Sequence, residues 1–162
     1  MNEIDINLVL KNNLWQPHFY AVVPRDKLTR LTDKLFFPAA IVVNTGVSGT
    51  KGIHWQCVYL PETGDRCLFF CSLGLQPSAE INEFCSMQTL KLYLISKKVQ
   101  SPFTMTCGLY VCDFLLFQSR MSCLKLYHRQ YKSGKYFFNE KTLSNHWRLE
   151  PGIGVLKYSI EA

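Results

Sequence analysis

Seven cysteines and four histidines are spread along 162 residues, and one of each stands where a thiol could be activated. His54 lies in Gly52-Ile53-His54-Trp55, and Cys107 in Thr106-Cys107-Gly108-Leu109, with Gln100 seven residues before the cysteine. A thiol becomes a strong nucleophile at neutral pH only as its thiolate, so it needs a base or a positive field beside it. A histidine and a cysteine held together by a fold are the minimal set for covalent acyl transfer.

The elements that must hold this pair are visible on either side of it. After Cys107, the apolar positions Leu109, Tyr110, Cys112, Phe114, Leu115 and Phe117 predict a mostly buried helix running to about Lys125. Cys107 then sits at the helix N-terminus, where free N–H groups and the helix dipole lower a thiol pKa and offer donors to an oxyanion. Gly108 beside it would let substrate approach closely. Cys112 and Cys123 fall inside or late in that helix and Cys57 and Cys67 in strands, so most of the other cysteines read as small buried hydrophobes.

On the histidine side, Phe36 to Asn44 reads as a buried strand and a loop with three glycines follows. Ile53 to Leu60 and Arg66 to Ser72 are two more strands around a turn at Pro61 to Asp65. His54 thus opens the second strand of a meander. Glu3 to Asn13 fits either a helix or a strand, and Asp26 to Lys34 a loop or short helix. Ser78-Ala79-Glu80-Ile81 starts a helix, and Leu90 to Ser96 suits a strand or the helix's continuation. A turn at Asn139-Glu140 and a strand-like stretch from Gly154 to Ile160 close the chain.

Composition excludes several classes. Hydrophobic content of 48% and aromatic content of 14% argue against disorder. No apolar run is long enough to span a membrane and the start lacks a secretory pattern, so a soluble, intracellular protein is expected, not a secreted one. An odd number of cysteines in such a chain argues against a disulfide framework. Cys67/Cys71 and Cys107/Cys112 are spaced like metal ligands but sit among aromatic and aliphatic residues, so no metal is expected. The formal charge of +6 permits a polyanionic partner. Its basic residues are scattered and match no nucleic-acid-binding motif, and a solvated surface explains them as well.

Four short segments, Ala40-Ile41-Val42-Val43-Asn44-Thr45, Gly52-Ile53-His54-Trp55, Cys67-Leu68-Phe69-Phe70 and Val99-Gln100-Ser101-Pro102, precede Cys107-Gly108-Leu109. In this order the sequence resembles the adenovirus protease family, the adenains, from about Phe36 to Phe117. The resemblance implies one domain over residues 1–162 with an α+β fold, in which a mixed, mostly antiparallel sheet packs on a central helix carrying the nucleophile. That fold is papain-like in permuted order and is shared with the ubiquitin-like proteases. His54 matches the family's general base, Cys107 its nucleophile and Gln100 its oxyanion donor.

At the acid position the chain departs from the family and carries Cys71, followed by Ser72. A thiol is a weak acceptor beside a carboxylate, so either a Cys–His dyad operates or activity is impaired. The resemblance also implies an activating viral peptide, viral DNA, viral precursor proteins as substrates, a monomer, and a place in the virion and host nucleus. The position of the family's peptide-linking cysteine is Thr89, with Cys85 one helical turn away as a substitute, and the last stretch, Gly152 to Ala162, could supply a built-in activating strand. Alternatives are an isopeptidase acting on ubiquitin-like modifiers, a non-catalytic virion protein of the same fold, and a basic nucleic-acid-binding module.

Overall fold

The computed structural model describes residues 1–15, 18–88, 90–95, 97–149 and 156–159. Thr89, residues 152–155 and residues 160–162 lie outside the described residues, so the positions proposed there for peptide linkage and most of the activating strand are not placed. The ambiguous first segment is a helix, α1 (Glu3–Asn13). Its start is set by a reciprocal cap in which the Asn2 side chain accepts from the Asp5 N–H and the Asp5 carboxylate accepts from the Asn2 N–H, both at 2.9 Å.

Five strands form the main sheet in chain order: β1 (Phe19–Pro24), β2 (Ala39–Asn44), β3 (Trp55–Leu60), β4 (Arg66–Phe70) and β5 (Lys91–Ile95). The expected meander is its antiparallel centre, with Val42 opposite Cys57 and Cys57 opposite Phe70. Both edge strands are parallel to their neighbours, which makes the sheet mixed. Parallel pairing needs a crossover. A 3₁₀ helix (Arg25–Lys34) supplies it between β1 and β2, and α2 (Ala79–Met87) between β4 and β5. β1 was not anticipated: Pro17 and Pro24 punctuate its surroundings and only Val22 is fully buried.

The sheet is covered on both faces, which is why β2 reads as an unbroken apolar run. Ala39, Ile41 and Val43 pack with Val58, Phe69 and Cys85 against the 3₁₀ helix and α2. Ala40 and Val42 pack with Cys57, Tyr59 and Phe70 against α3 (Cys107–Met121). α3 is buried around most of its circumference because α1, α4 (Leu124–Gln130) and α5 (Tyr136–His146) flank it. The central helix ends earlier than the apolar pattern indicates. Ser122 adopts a left-handed conformation (φ 46°) and the chain restarts as α4. The expected turn at Asn139-Glu140 is instead the middle of α5; its two polar residues are consumed by tertiary hydrogen bonds rather than by a reversal.

A short hairpin, β6 (Trp147–Leu149) with β7 (Leu156–Tyr158), docks the tail on the helices. Asn13 receives the Tyr158 N–H at 2.9 Å and gives its own side-chain N–H to the Leu156 carbonyl at 3.0 Å. Tyr158 also donates to the Asp113 carbonyl on α3, so this part of the tail belongs to the core.

One charged side chain is enclosed there. Burial pushes the Asp113 carboxyl up, while His146 at 2.7 Å and the Tyr131 hydroxyl at 2.8 Å oppose the shift. Removing one partner of such a group leaves the other stranded, at a cost of about 3–5 kcal/mol. Asp113→Leu is therefore expected to lower unfolding stability in urea by about that amount, against less than about 0.5 kcal/mol for the surface change Asp33→Ala.

Candidate active site

His54 immediately precedes β3, and the ladder between β2 and β3 fixes its backbone. The Thr45 N–H and hydroxyl both donate to its carbonyl, at 3.0 and 3.2 Å. The preceding loop is held by Asn44, whose side-chain oxygen accepts the Gly46 N–H at 2.8 Å. The same carboxamide fills the space beside Gly52: a Cβ there would lie 1.7 Å from Asn44 Oδ1. Only glycine fits, and His54 is delivered two residues later.

The His54 ring is buried and its Nε2 lies 3.2 Å from Cys71 Sγ, so the residue at the acid position does meet the histidine. Nδ1 makes no hydrogen bond among the described residues. Burial lowers the His54 pKa below its ordinary 6.5, which favours the neutral ring that a general base requires. The Cys71 thiol is pushed up by burial. Opposing that shift are the backbone N–H groups of Leu75, Leu73 and Gly74, in the turn after β4, and the Gln56 side chain. The sulfur is surrounded by donors and so suits the acceptor role towards an Nε2–H, which leaves the lone pair of the ring on Nδ1.

Ser72 connects this corner to Gln100. Its carbonyl accepts the N–H groups of Val99 and Gln100 at 2.9 and 3.0 Å, and its hydroxyl donates to Gln100 Oε1 at 2.6 Å. Gln100 Nε2 donates one N–H to the Thr104 carbonyl at 2.8 Å. A carboxamide nitrogen carries two, and the second remains for a ligand.

Cys107 is the first residue of α3, and the N–H groups of Cys107, Gly108 and Leu109 bond to no described residue; the ladder starts with Tyr110 N–H to the Thr106 carbonyl at 3.1 Å. The side on which Gly108 lacks a Cβ, expected to give substrate room, faces Met1 and Ile6. A Cβ there would stand 2.9 Å from Cβ of Met1, so its bareness accommodates the N-terminal residue. The Trp55 indole donates to the Met1 carbonyl at 3.2 Å. Met1 therefore lies against Trp55, which follows His54, and Gly108, which follows Cys107. No hydrogen bond joins His54 to Cys107 directly; such contacts are often long before substrate arrives.

Of the remaining cysteines, Cys123 is partly exposed and the other four are buried. Burial pushes Cys57 and Cys112 up. Cys85 is buried on α2 with its thiol against Cys67, enclosed in the core rather than presented to a peptide partner. Among the described residues no three metal-ligating side chains converge, and no helix is long and apolar enough to cross a membrane. Sequence reasoning missed Thr104, Thr106 and Glu140, which form a hydrogen-bonded cluster at the start of α3. Their types are unremarkable for a loop and a helix, and no spacing joins positions more than thirty residues apart.

No family model matches the sequence, and no curated protein does. Among solved structures, the SUMO protease Ulp1, in a form with its catalytic cysteine oxidized to a sulfonic acid, is similar over 90% of this chain and 78% of its own. The identity is 15% and the TM-score 0.50. The Ulp1 protease domain in complex with Smt3 is similar over 88% of this chain and 72% of its own, at 14% identity and a TM-score of 0.48. The ASFV protease matches 64% of this chain at 17% identity and a TM-score of 0.47, and this chain spans 42% of its length. The likeness to Ulp1 is one of fold: the chain has the α+β architecture of that protease, as expected.

Two measurements test the assignment of the reactive pair. Iodoacetamide at neutral pH is expected to label Cys107 and the partly exposed Cys123 ahead of the buried thiols, and His54→Ala to slow labelling of Cys107 at least tenfold with Cys123 unchanged. Equal slowing at both sites, or none, would dissolve the pair. A folded His54 pKa below 6.5 means the base is already neutral at that pH, so the acid limb of kcat/KM should have its midpoint below 6.5. Since the unfolded chain takes up that proton first, His54 also costs stability as pH falls through and below 6.5.

Proposed function

We propose that the protein is a cysteine endopeptidase that cleaves precursor capsid or core proteins of a virus during maturation, after small residues such as glycine. The observation that carries the chemistry is a chain of contacts running from His54 to Thr104, just before the start of α3. His54 touches Cys71, Ser72 beside it clasps Gln100, and Gln100 reaches Thr104, three residues before Cys107. The specific family and the substrate class rest on the resemblance of the motifs.

On this reading His54 Nδ1 takes the Cys107 proton as the sulfur attacks the scissile carbonyl carbon. The π electrons move onto oxygen, and the Cys107 N–H and the second Gln100 N–H stabilise that oxyanion. The protonated His54 then gives its proton to the departing amine as the C–N bond breaks. Water, activated by the same ring, hydrolyses the thioester and frees Cys107. Cys71 holds the ring through Nε2, in the place of the carboxylate. The site of action is the virion and host nucleus, and the charge of +6 suits viral DNA as a partner.

The test is cleavage of a Gly-Gly-containing peptide alongside a ubiquitin-like C-terminal probe. Preferential turnover of the peptide is expected; turnover of the probe alone would make the protein an isopeptidase, and turnover of neither would leave a non-catalytic virion protein. Gln100→Ala should lower kcat by about 10²–10³-fold with little change in KM, the usual cost of one oxyanion donor. Cys71→Asp, which offers a carboxylate to the donors already facing the sulfur, should raise kcat/KM, and Cys71→Ala should lower it.

A further inference from the structure

Thr106 occupies the N-cap of α3, and a threonine there ordinarily turns its hydroxyl back onto the N–H groups of the first helical turn. Here it makes no such bond. Its hydroxyl donates instead to Glu140 Oε1 on α5 at 3.0 Å, and the same oxygen accepts the Thr104 hydroxyl at 3.1 Å. The two hydroxyls are themselves 3.1 Å apart. Thr104 is the residue whose carbonyl receives the Gln100 side chain at 2.8 Å. One carboxylate oxygen therefore touches both the residue that would cover the helix N–H groups and the residue that orients the glutamine.

We infer that Glu140 is a positioning residue of the oxyanion hole. It holds the Thr106 hydroxyl off the Gly108 and Leu109 N–H groups, and it steadies the Thr104 carbonyl against which Gln100 is set. Without an acceptor at 140, the Thr106 hydroxyl is free to cap the Gly108 or Leu109 N–H, the neighbours of the Cys107 donor. The loop from Ser101 to Thr106 also loses its anchor, and Gln100 loses its alignment. The inference rests on the catalytic reading of Cys107 and Gln100. α5 also meets this segment through Asn139, whose side chain donates to the Val99 carbonyl at 2.9 Å, and Glu140 also interacts with the Tyr110 hydroxyl; the link from Glu140 to Gln100 runs through Thr104.

Two probes separate the hole from the nucleophile. Iodoacetamide alkylates the sulfur by displacement at carbon and creates no oxyanion, whereas a Gly-Gly peptide aldehyde forms a thiohemiacetal whose oxygen lies in the hole. Glu140→Leu is expected to leave the rate of Cys107 alkylation within about threefold while weakening the aldehyde about 10–100-fold, less than the roughly 10²–10³-fold cost of losing an oxyanion donor outright. Glu140→Gln keeps an amide oxygen that can accept both hydroxyls and should recover most of that loss. Thr104→Val, which frees one hydroxyl's partner and leaves α5 intact, should weaken the aldehyde several-fold and serves if Glu140→Leu does not fold.

Aldehyde binding unchanged in Glu140→Leu and Thr104→Val would overturn the inference. So would a parallel loss of alkylation, aldehyde binding and unfolding midpoint that Glu140→Gln does not repair, because that describes a structural residue. Wild-type protein that forms no aldehyde adduct on Cys107 would overturn the catalytic reading and the inference together.

Discussion

The three hydrogen bonds between Ser72 and the Val99–Gln100 segment hold the functional end of the molecule together. Without them the crossover through α2 and β5 could return the chain to the sheet in many ways, and Gln100 would have no defined relation to the end of β4. With them, the residue beside Cys71 grips the residue that faces the start of α3. Each bond contributes only about 0.5–1.5 kcal/mol net, yet all three are buried, so leaving them unmade is costly. Their geometric effect is larger than their energetic one: they set the sheet edge and the helix N-terminus in one frame.

The same frame explains how a thiol can stand where a carboxylate is expected. A carboxylate would carry its own charge to the imidazole. Cys71 contributes a polarizable sulfur whose acceptor character is drawn out by the N–H groups of Leu73, Gly74 and Leu75 and by Gln56. Such a partner fixes the tautomer of His54 and contributes little to stabilising an imidazolium. On the proposed mechanism the division of labour is therefore uneven, with orientation supplied by Cys71 and charge stabilisation left to the oxyanion side.

Much of this was legible in the residues alone. Hydrophobic runs at β2, β3 and β4 are long because both faces of the sheet are covered, and a helix packed with Tyr110, Phe114 and Phe117 has few other readings. β1 was hidden because an edge strand between two prolines buries little. The end of α3 was hidden because its apolar pattern continues into α4 across a single left-handed residue, Ser122. At the site, His54 and Cys107 announce themselves by type and neighbourhood, whereas Gln100 and Cys71 stand out only through the resemblance of the motifs. Glu140 does not, because its role arises from a tertiary contact with a distant loop and depends on which way a threonine hydroxyl points.

The packing of Asn44 against Gly52 bears on how such a sequence can drift. The carboxamide occupies the volume in which any side chain at 52 would begin, and its oxygen is already committed to Gly46. Position 52 is not free to vary while Asn44 is kept, and a change at 44 gives up the bond to Gly46. A change at 44 to a smaller residue opens the space but releases the loop, and only then can 52 accept a Cβ. The two sites, eight residues apart on either side of the loop, are therefore bound in an order, and divergence at 52 in the approach to His54 must wait for a change at 44.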